Sequence, residues 1–258
     1  PVTGDQVAMT NHHWKFSVNA LREGLGVSHF LLLNDFTALA LSLIRLPESQ
    51  KRQIGSGTAT PNAAIGLIGP GTGLGVSGLF PVGYQNKWIP IAGEGGHVSL
   101  TATTEHEFAA IQQLQKRYGH VSAERVISGA GLVDLYHALC DLKDGQGREI
   151  TTPAEVLERA QEVPTSTANE ALDMFCGFLG SVAGDLALTL GARGGIYIGG
   201  GIVPRLGERF DASPFRERFE AKGRFKKYLQ DVPTWVIHSP VSPALQGASQ
   251  ALSLTQWQ

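Results

Sequence analysis

Apolar and polar positions along the chain fall into blocks that read as strands and helices in turn. Residues 29–33 (HFLLL) form a short apolar run that suits a buried strand, and 36–44 (FTALALSLI), after Asn34-Asp35, suit a helix. Residues 47–62 are polar and rich in Gly, Pro and Ser, which predicts a linker or boundary loop. Residues 63–68 (AAIGLI) read as a second buried strand, 69–75 (GPGTGLG) as a glycine loop and VSGLFPV as a returning strand, so the loop closes a hairpin. Residues 89–100 (IPIAGEGGHVSL) read as irregular. Helical spacing of Phe108, Ile111, Leu114 and Tyr118 predicts a helix over 104–118. Another helix starts near Gly131, and two more cover 153–162 and 166–191. The last of these is long and rich in Ala, Gly and Leu, a composition suited to close helix packing. Residues 194–205 (GGIYIGGGIVPR) give a strand, a glycine loop and a proline. A strand at 235–240 and a helix at 243–252 end the pattern. Such alternation predicts an α/β fold with strands running into glycine loops.

Composition narrows the function classes. The net charge of -2 over 258 residues offers no field for a phosphate backbone, which argues against nucleic acid as a partner. The longest stretch without a charged side chain, 53–86, is full of Gly, Pro, Ser and Thr, so no membrane helix is expected there. Two cysteines, Cys140 and Cys176, make neither a disulfide framework nor a four-cysteine zinc site, and a reducing compartment is the default. Glycine, at 32 residues, is well above the usual ~7%. Ten of those glycines lie in 69–75, 93–96 and 199–201.

Those three runs carry the candidate chemistry. Gly71, Thr72 and Gly73 could cradle phosphate oxygens with backbone N–H groups and a hydroxyl, or could simply form a glycine-rich hairpin. No Lys-Ser/Thr follows, so this is not a Walker A loop. The stretch from Gly73 to Gly78 fits G-x-G-x-x-G, but a dinucleotide fold needs a helix next and VSGLF favours a strand. Gly199, Gly200 and Gly201 could present a flat surface to a planar base, or serve tight packing. Asp35 sits where an apolar run gives way to a helix; it could take a proton from an attacking hydroxyl, or be a helix cap. Glu94, His97 and Glu124 suit sugar hydroxyls, which both donate and accept. Glu124 could instead form a solvated pair with Arg125. Glu94 and His97 lack further ligands nearby in sequence, so no metal site is assigned. Glu105-His106-Glu107 reads as polar surface.

Together these segments resemble the bacterial glucokinase family, within the hexokinase and actin-like ATPase superfamily. VTGDQVAMTNHHWKFS, LNDFTALAL, GPGTGLGV, PIAGEGGHVSL, GHVSAERVISGAGLVDLY, GGIYIGGGIVPR, FRERFEAKGRFKKYL and PALQGAS occur in that family's order and cover nearly the whole chain. The resemblance implies transfer of the γ-phosphoryl group of ATP, with Mg2+, to the 6-hydroxyl of glucose. It makes Asp35 the catalytic base, and Asn34, Asp35, Glu94, His97 and Glu124 the sugar ligands. Gly71, Thr72 and Gly73 become a phosphate loop, and Gly199, Gly200 and Gly201 the adenosine segment. It also implies a two-lobed actin-like ATPase (ribonuclease H-like) fold, a cytoplasmic enzyme and a homodimer. The large lobe spans 48–237, and the small lobe combines 1–47 with 238–258.

One departure shapes the expectation. The family's first phosphate loop, of the Asp-x-Gly-Gly-Thr type, does not occur in this sequence. The first part of the small lobe is therefore expected to be missing, and the 258 residues on their own to show little or no kinase activity. The absence of a cysteine-rich zinc site points to the zinc-free branch. Two other classes compete: a non-catalytic sugar sensor on the same fold, and a nicotinamide-dependent oxidoreductase resting on the GLGVSG match.

Overall fold

The computed structural model describes residues 4–8, 13–83, 87–143, 145, 149–239 and 241–253. In chain order the elements are β1 (Gln6–Ala8), β2 (Lys15–Ser17), α1 (Val18–Gly24), α2 (Asp35–Ser42), β3 (Lys51–Ile54), β4 (Ile65–Pro70), β5 (Leu74–Val82) and β6 (Lys87–Ala92). Then follow α3 (Glu105–Tyr118), α4 (Gly129–Lys143), α5 (Pro153–Glu162), α6 (Thr167–Leu190), β7 (Ile196–Ile198), α7 (Val203–Leu206) and α8 (Glu208–Asp211). The last are α9 (Phe215–Glu220), α10 (Lys226–Gln230), β8 (Thr234–Ile237) and α11 (Ala244–Ser253). Six strands form one mixed sheet in the order β3-β8-β7-β4-β5-β6. The inner strands β8, β7 and β4 run parallel, and β3, β5 and β6 pair antiparallel at the flanks. β1 and β2 make a separate small hairpin.

Strand periodicity divides the core in two. Ile68, Ile196, Ile198 and Val236 point to the larger cluster, built with α3 to α6 and α9. Their neighbours Leu67, Tyr197, Trp235 and Ile237 point the other way, to a smaller cluster under α2 and α11. Each inner strand is apolar on both faces because both faces are covered. α11 lies directly on α2: a Cβ on Gly247 would stand 1.7 Å from the Ala38 carbonyl oxygen, so only glycine lets the two backbones meet.

Helix ends follow local chemistry. Thr104 caps α3, and Ser166 caps α6, which ends at left-handed Gly191. Thr152 and Glu155 form a reciprocal capping box at α5, with Pro153 in its first turn. α6 is long and apolar enough to cross a membrane, but 72% of its most apolar window is buried inside the protein. Its small residues are used within the chain. α9 packs along them, with the Phe215 carbonyl where a Cβ on Gly180 would lie.

Four expectations are corrected. Residues 29–33 form no strand; no strand among the described residues pairs with them, and His29 and Leu31 face solvent. Residues 51–54, expected as linker, form β3. Its only buried residue is Ile54, and the Lys51 ammonium lies 4.9 Å from the Trp235 ring centroid. Residues 89–92, the start of the stretch 89–100 expected to be irregular, belong to edge strand β6, where Pro90 is tolerated because the outer side needs no ladder donor. Glu107, expected at the surface, is 4% exposed. It pairs with Arg218 of α9 and accepts from the Thr103 amide (2.7 Å) and hydroxyl (3.0 Å). Burial alone would push its carboxyl up, but the Arg218 and Thr103 hydrogen bonds outweigh that and hold it below the ordinary value.

Candidate functional site

The site begins at the N-terminus of α2. Asn34 is the helix cap: its Oδ1 accepts from the amides of Phe36 (2.9 Å) and Thr37 (3.2 Å). Asp35 is the first helical residue, which frees it from the capping role. Its exposed carboxylate accepts the Phe36 amide at 2.9 Å and is open to solvent beyond that contact. The Phe36 ring fixes where this helix end lies. It fills the space above the paired residues Gly69 and Gly75, where added Cβ atoms would come within 2.7 and 2.1 Å of it. The α2 end thus rests on the hairpin that carries the first glycine loop.

That loop joins β4 to β5. The Gly71 amide donates to the Gly73 carbonyl (2.8 Å), and the Gly71 carbonyl accepts the Gly129 amide at the start of α4 (2.8 Å). The Leu74 amide is taken by Glu124 Oε2 (2.8 Å). Among the described residues nothing takes the Thr72 amide and hydroxyl or the Gly73 amide, which are the donors left for an anion. A Cβ at Gly71 would meet nothing within 4 Å, so the backbone there is open. The residues after the loop are strand β5, not a helix, which removes the dinucleotide reading of GLGVSG.

Two further turns converge on the same strand end. The 3-10 turn Gly95–His97 packs with Gly96 against the Leu74 carbonyl and Gly95 against Val76, and the His97 amide donates to the Glu94 carbonyl (3.0 Å). The turn Ala123–Arg125 is tied to it by the Ala123 amide on the Val98 carbonyl (2.8 Å) and by a Ser99–Ser122 bridge. Glu94 and His97 present exposed side chains, and Glu124 is half-buried. Arg125 turns away to the Tyr118 ring, 4.3 Å from its centroid, rather than pairing with Glu124. The five predicted sugar ligands thus sit on segments that pack around one glycine hairpin.

The second glycine run follows β7 and adjoins the first. Gly199 is closed by Leu39, 2.9 Å from an added Cβ, and its amide donates to the Ile68 carbonyl (2.8 Å). Gly200 has φ +80° and abuts the Pro70 carbonyl. Packing accounts for these two. Gly201 has open space and remains a surface for a ligand.

Sequence reasoning assigned no role at the site to Phe36, the Leu74 amide or the start of α4. The third had a signal: in Ser128-Gly-Ala-Gly131 the serine hydroxyl accepts the Gly131 amide (3.0 Å), a cap with small residues behind it. Among the described residues no group of three or more His, Cys, Asp or Glu could hold a metal ion. A cavity of about 410 Å3 lies elsewhere, between α3, α6 and α9. Each charged group lining it is paired: Glu107 with Arg218, Asp173 with Arg209, and Glu170 with His106 and Lys143.

Comparison with known proteins adds independent findings. A family model described as Glucokinase matches residues 1–255. The chain is 53% identical over 253 residues to the glucokinase of Chromobacterium violaceum, covering 98% of this chain and 72% of that protein. It is 50% identical over 253 residues to the bifunctional protein glk of Paraburkholderia xenovorans, again over 98% of this chain but only 39% of that protein. A solved glucokinase from an Antarctic psychrotroph superimposes with a TM-score of 0.88 at 36% identity, over 99% of this chain and 78% of that one.

Proposed function

The chain belongs to the glucokinase family, an enzyme family with the actin-like ATPase fold, and from that premise we propose that its site serves transfer of the γ-phosphoryl group of ATP to the 6-hydroxyl of glucose, with little or no turnover expected from these 258 residues on their own. One observation carries the reading beyond family membership. The Asn34-Asp35 helix end, the Glu94–His97 turn and Glu124 all pack against the hairpin whose loop leaves anion donors exposed.

In this mechanism Asn34, Glu94, His97 and Glu124 bind the sugar hydroxyls, and Asp35 orients the 6-hydroxyl. As the sugar oxygen bonds to the γ-phosphorus, the bond from that phosphorus to the β,γ-bridging oxygen breaks, ADP leaves, and the Asp35 carboxylate takes the hydroxyl proton. ATP supplies the phosphoryl group and Mg2+ neutralises charge on its phosphates when bound. The donor set fits the nucleotide: Thr72 and Gly73 offer donors, Gly71 and Gly201 leave open backbone, and the N-terminus of α4 closes on Gly71. Positioning and charge stabilisation carry such a transfer, so no covalent enzyme intermediate is needed. A ring of polar groups confers selectivity, because a sugar lacking one hydroxyl leaves its partner unpaired. The reading also includes closure of lobes 48–237 and 1–47 with 238–258 over the sugar, a homodimer, and a cytoplasmic location.

Isothermal titration tests it. Glucose is expected to bind the purified protein, and Glu94→Ala to weaken it by about tenfold or more, as for loss of a charged hydrogen bond. A non-hydrolysable ATP analogue with Mg2+ is expected to bind the glucose complex. No glucose binding overturns the reading; glucose binding with no nucleotide binding, even once an Asp-x-Gly-Gly-Thr segment is supplied ahead of residue 1, leaves a sugar sensor instead.

A further inference from the structure

The Glu124 carboxylate does two things at once in this structure. Its Oε2 accepts the Leu74 amide at 2.8 Å, at the point where the glycine loop enters β5. The same oxygen stands 2.4 Å from where a Cβ of Gly73 would be, so the loop has shaped itself to that oxygen. The backbone behind Glu124 is held: the Arg125 amide donates to the Ser122 carbonyl (3.0 Å), the Ile127 amide to the Ala123 carbonyl (2.7 Å), and Ala123, Val126 and Ile127 are fully buried. The loop is likewise a closed turn, Gly71 amide to Gly73 carbonyl, and Leu74 is anchored in the core. Little but the Glu124 side chain can adjust between them.

We propose that Glu124 couples the sugar site to the phosphate loop, one carboxylate oxygen holding the Leu74 amide while the other meets a sugar hydroxyl. It acts on the phosphate side as a positioning residue. The inference rests on the proposed sugar-binding role of Glu124 and adds a consequence to it. Any displacement of the carboxylate by the loop must change sugar affinity, and sugar binding must bias the loop by the same free energy.

The test uses a loop residue that does not itself touch sugar. Gly73→Ala puts a methyl group against the end of a flexible side chain, at a backbone conformation alanine accepts. Glu124 must swing away, and the fold need not break. Titration with glucose, without nucleotide, is expected to show a loss of about ten- to hundredfold in affinity, the worth of a charge-assisted hydrogen bond, with a cooperative melt lowered by only a few degrees from the freed Leu74 amide. E124D retracts the carboxylate by one methylene and clears the new methyl. In the E124D background Gly73→Ala is therefore expected to cost little further affinity, giving a strongly non-additive cycle. The coupling is overturned if Gly73→Ala binds glucose like the parent, or if it costs the same fold in both backgrounds. If the parent itself binds no glucose, the sugar-kinase reading has failed, and the coupling falls with it.

Discussion

Replacing Arg218 with Met tests how the helical layer holds together. The Arg218 side chain is 16% exposed and that of Glu107 5%. Arg218 also donates to Ser181 of α6 at 2.9 Å, so one guanidinium ties α3, α6 and α9. Methionine keeps most of the volume and removes the charge. It leaves a buried carboxylate whose remaining partners are the amide and hydroxyl of Thr103. Breaking a buried pair from one side costs about 3–5 kcal/mol. For a chain of 258 residues the unfolding entropy is about 0.5 kcal/mol per degree, so the melting temperature should fall by about 6–10 °C. The sign with pH is fixed by the depressed Glu107 carboxyl. In the parent its stabilisation is complete above the ordinary carboxylate range and is lost as pH falls through the lower folded value. In R218M, burial is no longer outweighed, so Glu107 protonates more readily and the deficit against the parent narrows at acid pH. Differential scanning calorimetry at pH 7 and pH 4 reads both effects. Adding Glu107→Gln, which keeps an acceptor for Thr103 without the charge, should recover most of the loss. An R218M melting temperature equal to the parent's at pH 7 would refute the reasoning.

Two other outcomes follow from packing and burial. Gly247→Val forces α11 off the Ala38 carbonyl, a backbone clash that no side-chain rotation relieves. It should cost about 1–3 kcal/mol or more and raise hydrogen exchange at α11 amides, and a parent-like melt with protected α11 would contradict it. Cys176 is fully enclosed and burial pushes its thiol up to about 12; burial also raises Cys140. At pH 8 a disulfide reagent should find no fast-reacting thiol in the native protein and two after guanidinium unfolding; a rapid native thiol would show that one of these sites opens.

How much was legible in the sequence differs by element. Helices α3, α5 and α6 were readable because their apolar spacing and N-caps agree, and α3 and α6 also end at glycines, Gly119 and Gly191. The β4–β5 hairpin was readable from two apolar runs around a glycine loop. β3 was not, because its single buried residue leaves its pairing to β8, far off in the chain, and β6 was not, because its internal proline masks a strand that pairs with the preceding β5. Glu107 defeated composition for the same reason as β3: its partner Arg218 lies 111 residues away in the chain. Asn34, Asp35, Glu94, His97 and Glu124 came forward as candidates from the family resemblance. Their common seat on one hairpin could not be read, since it depends on Phe36 over Gly69 and Gly75 and on Glu124 reaching Leu74. Of the glycines at 199–201, two turned out to serve packing, which sequence alone leaves open.

The central claim is that Asp35 faces the 6-hydroxyl of a bound glucose. It is tested most directly by titrating the protein and its D35A variant with glucose and with 6-deoxyglucose. A carboxylate hydrogen-bonded to that hydroxyl should make the parent prefer glucose by about tenfold or more. The preference should vanish in D35A, while 6-deoxyglucose binds both proteins alike. A parent that binds the two sugars equally, or a D35A variant that keeps the full preference, would contradict the account.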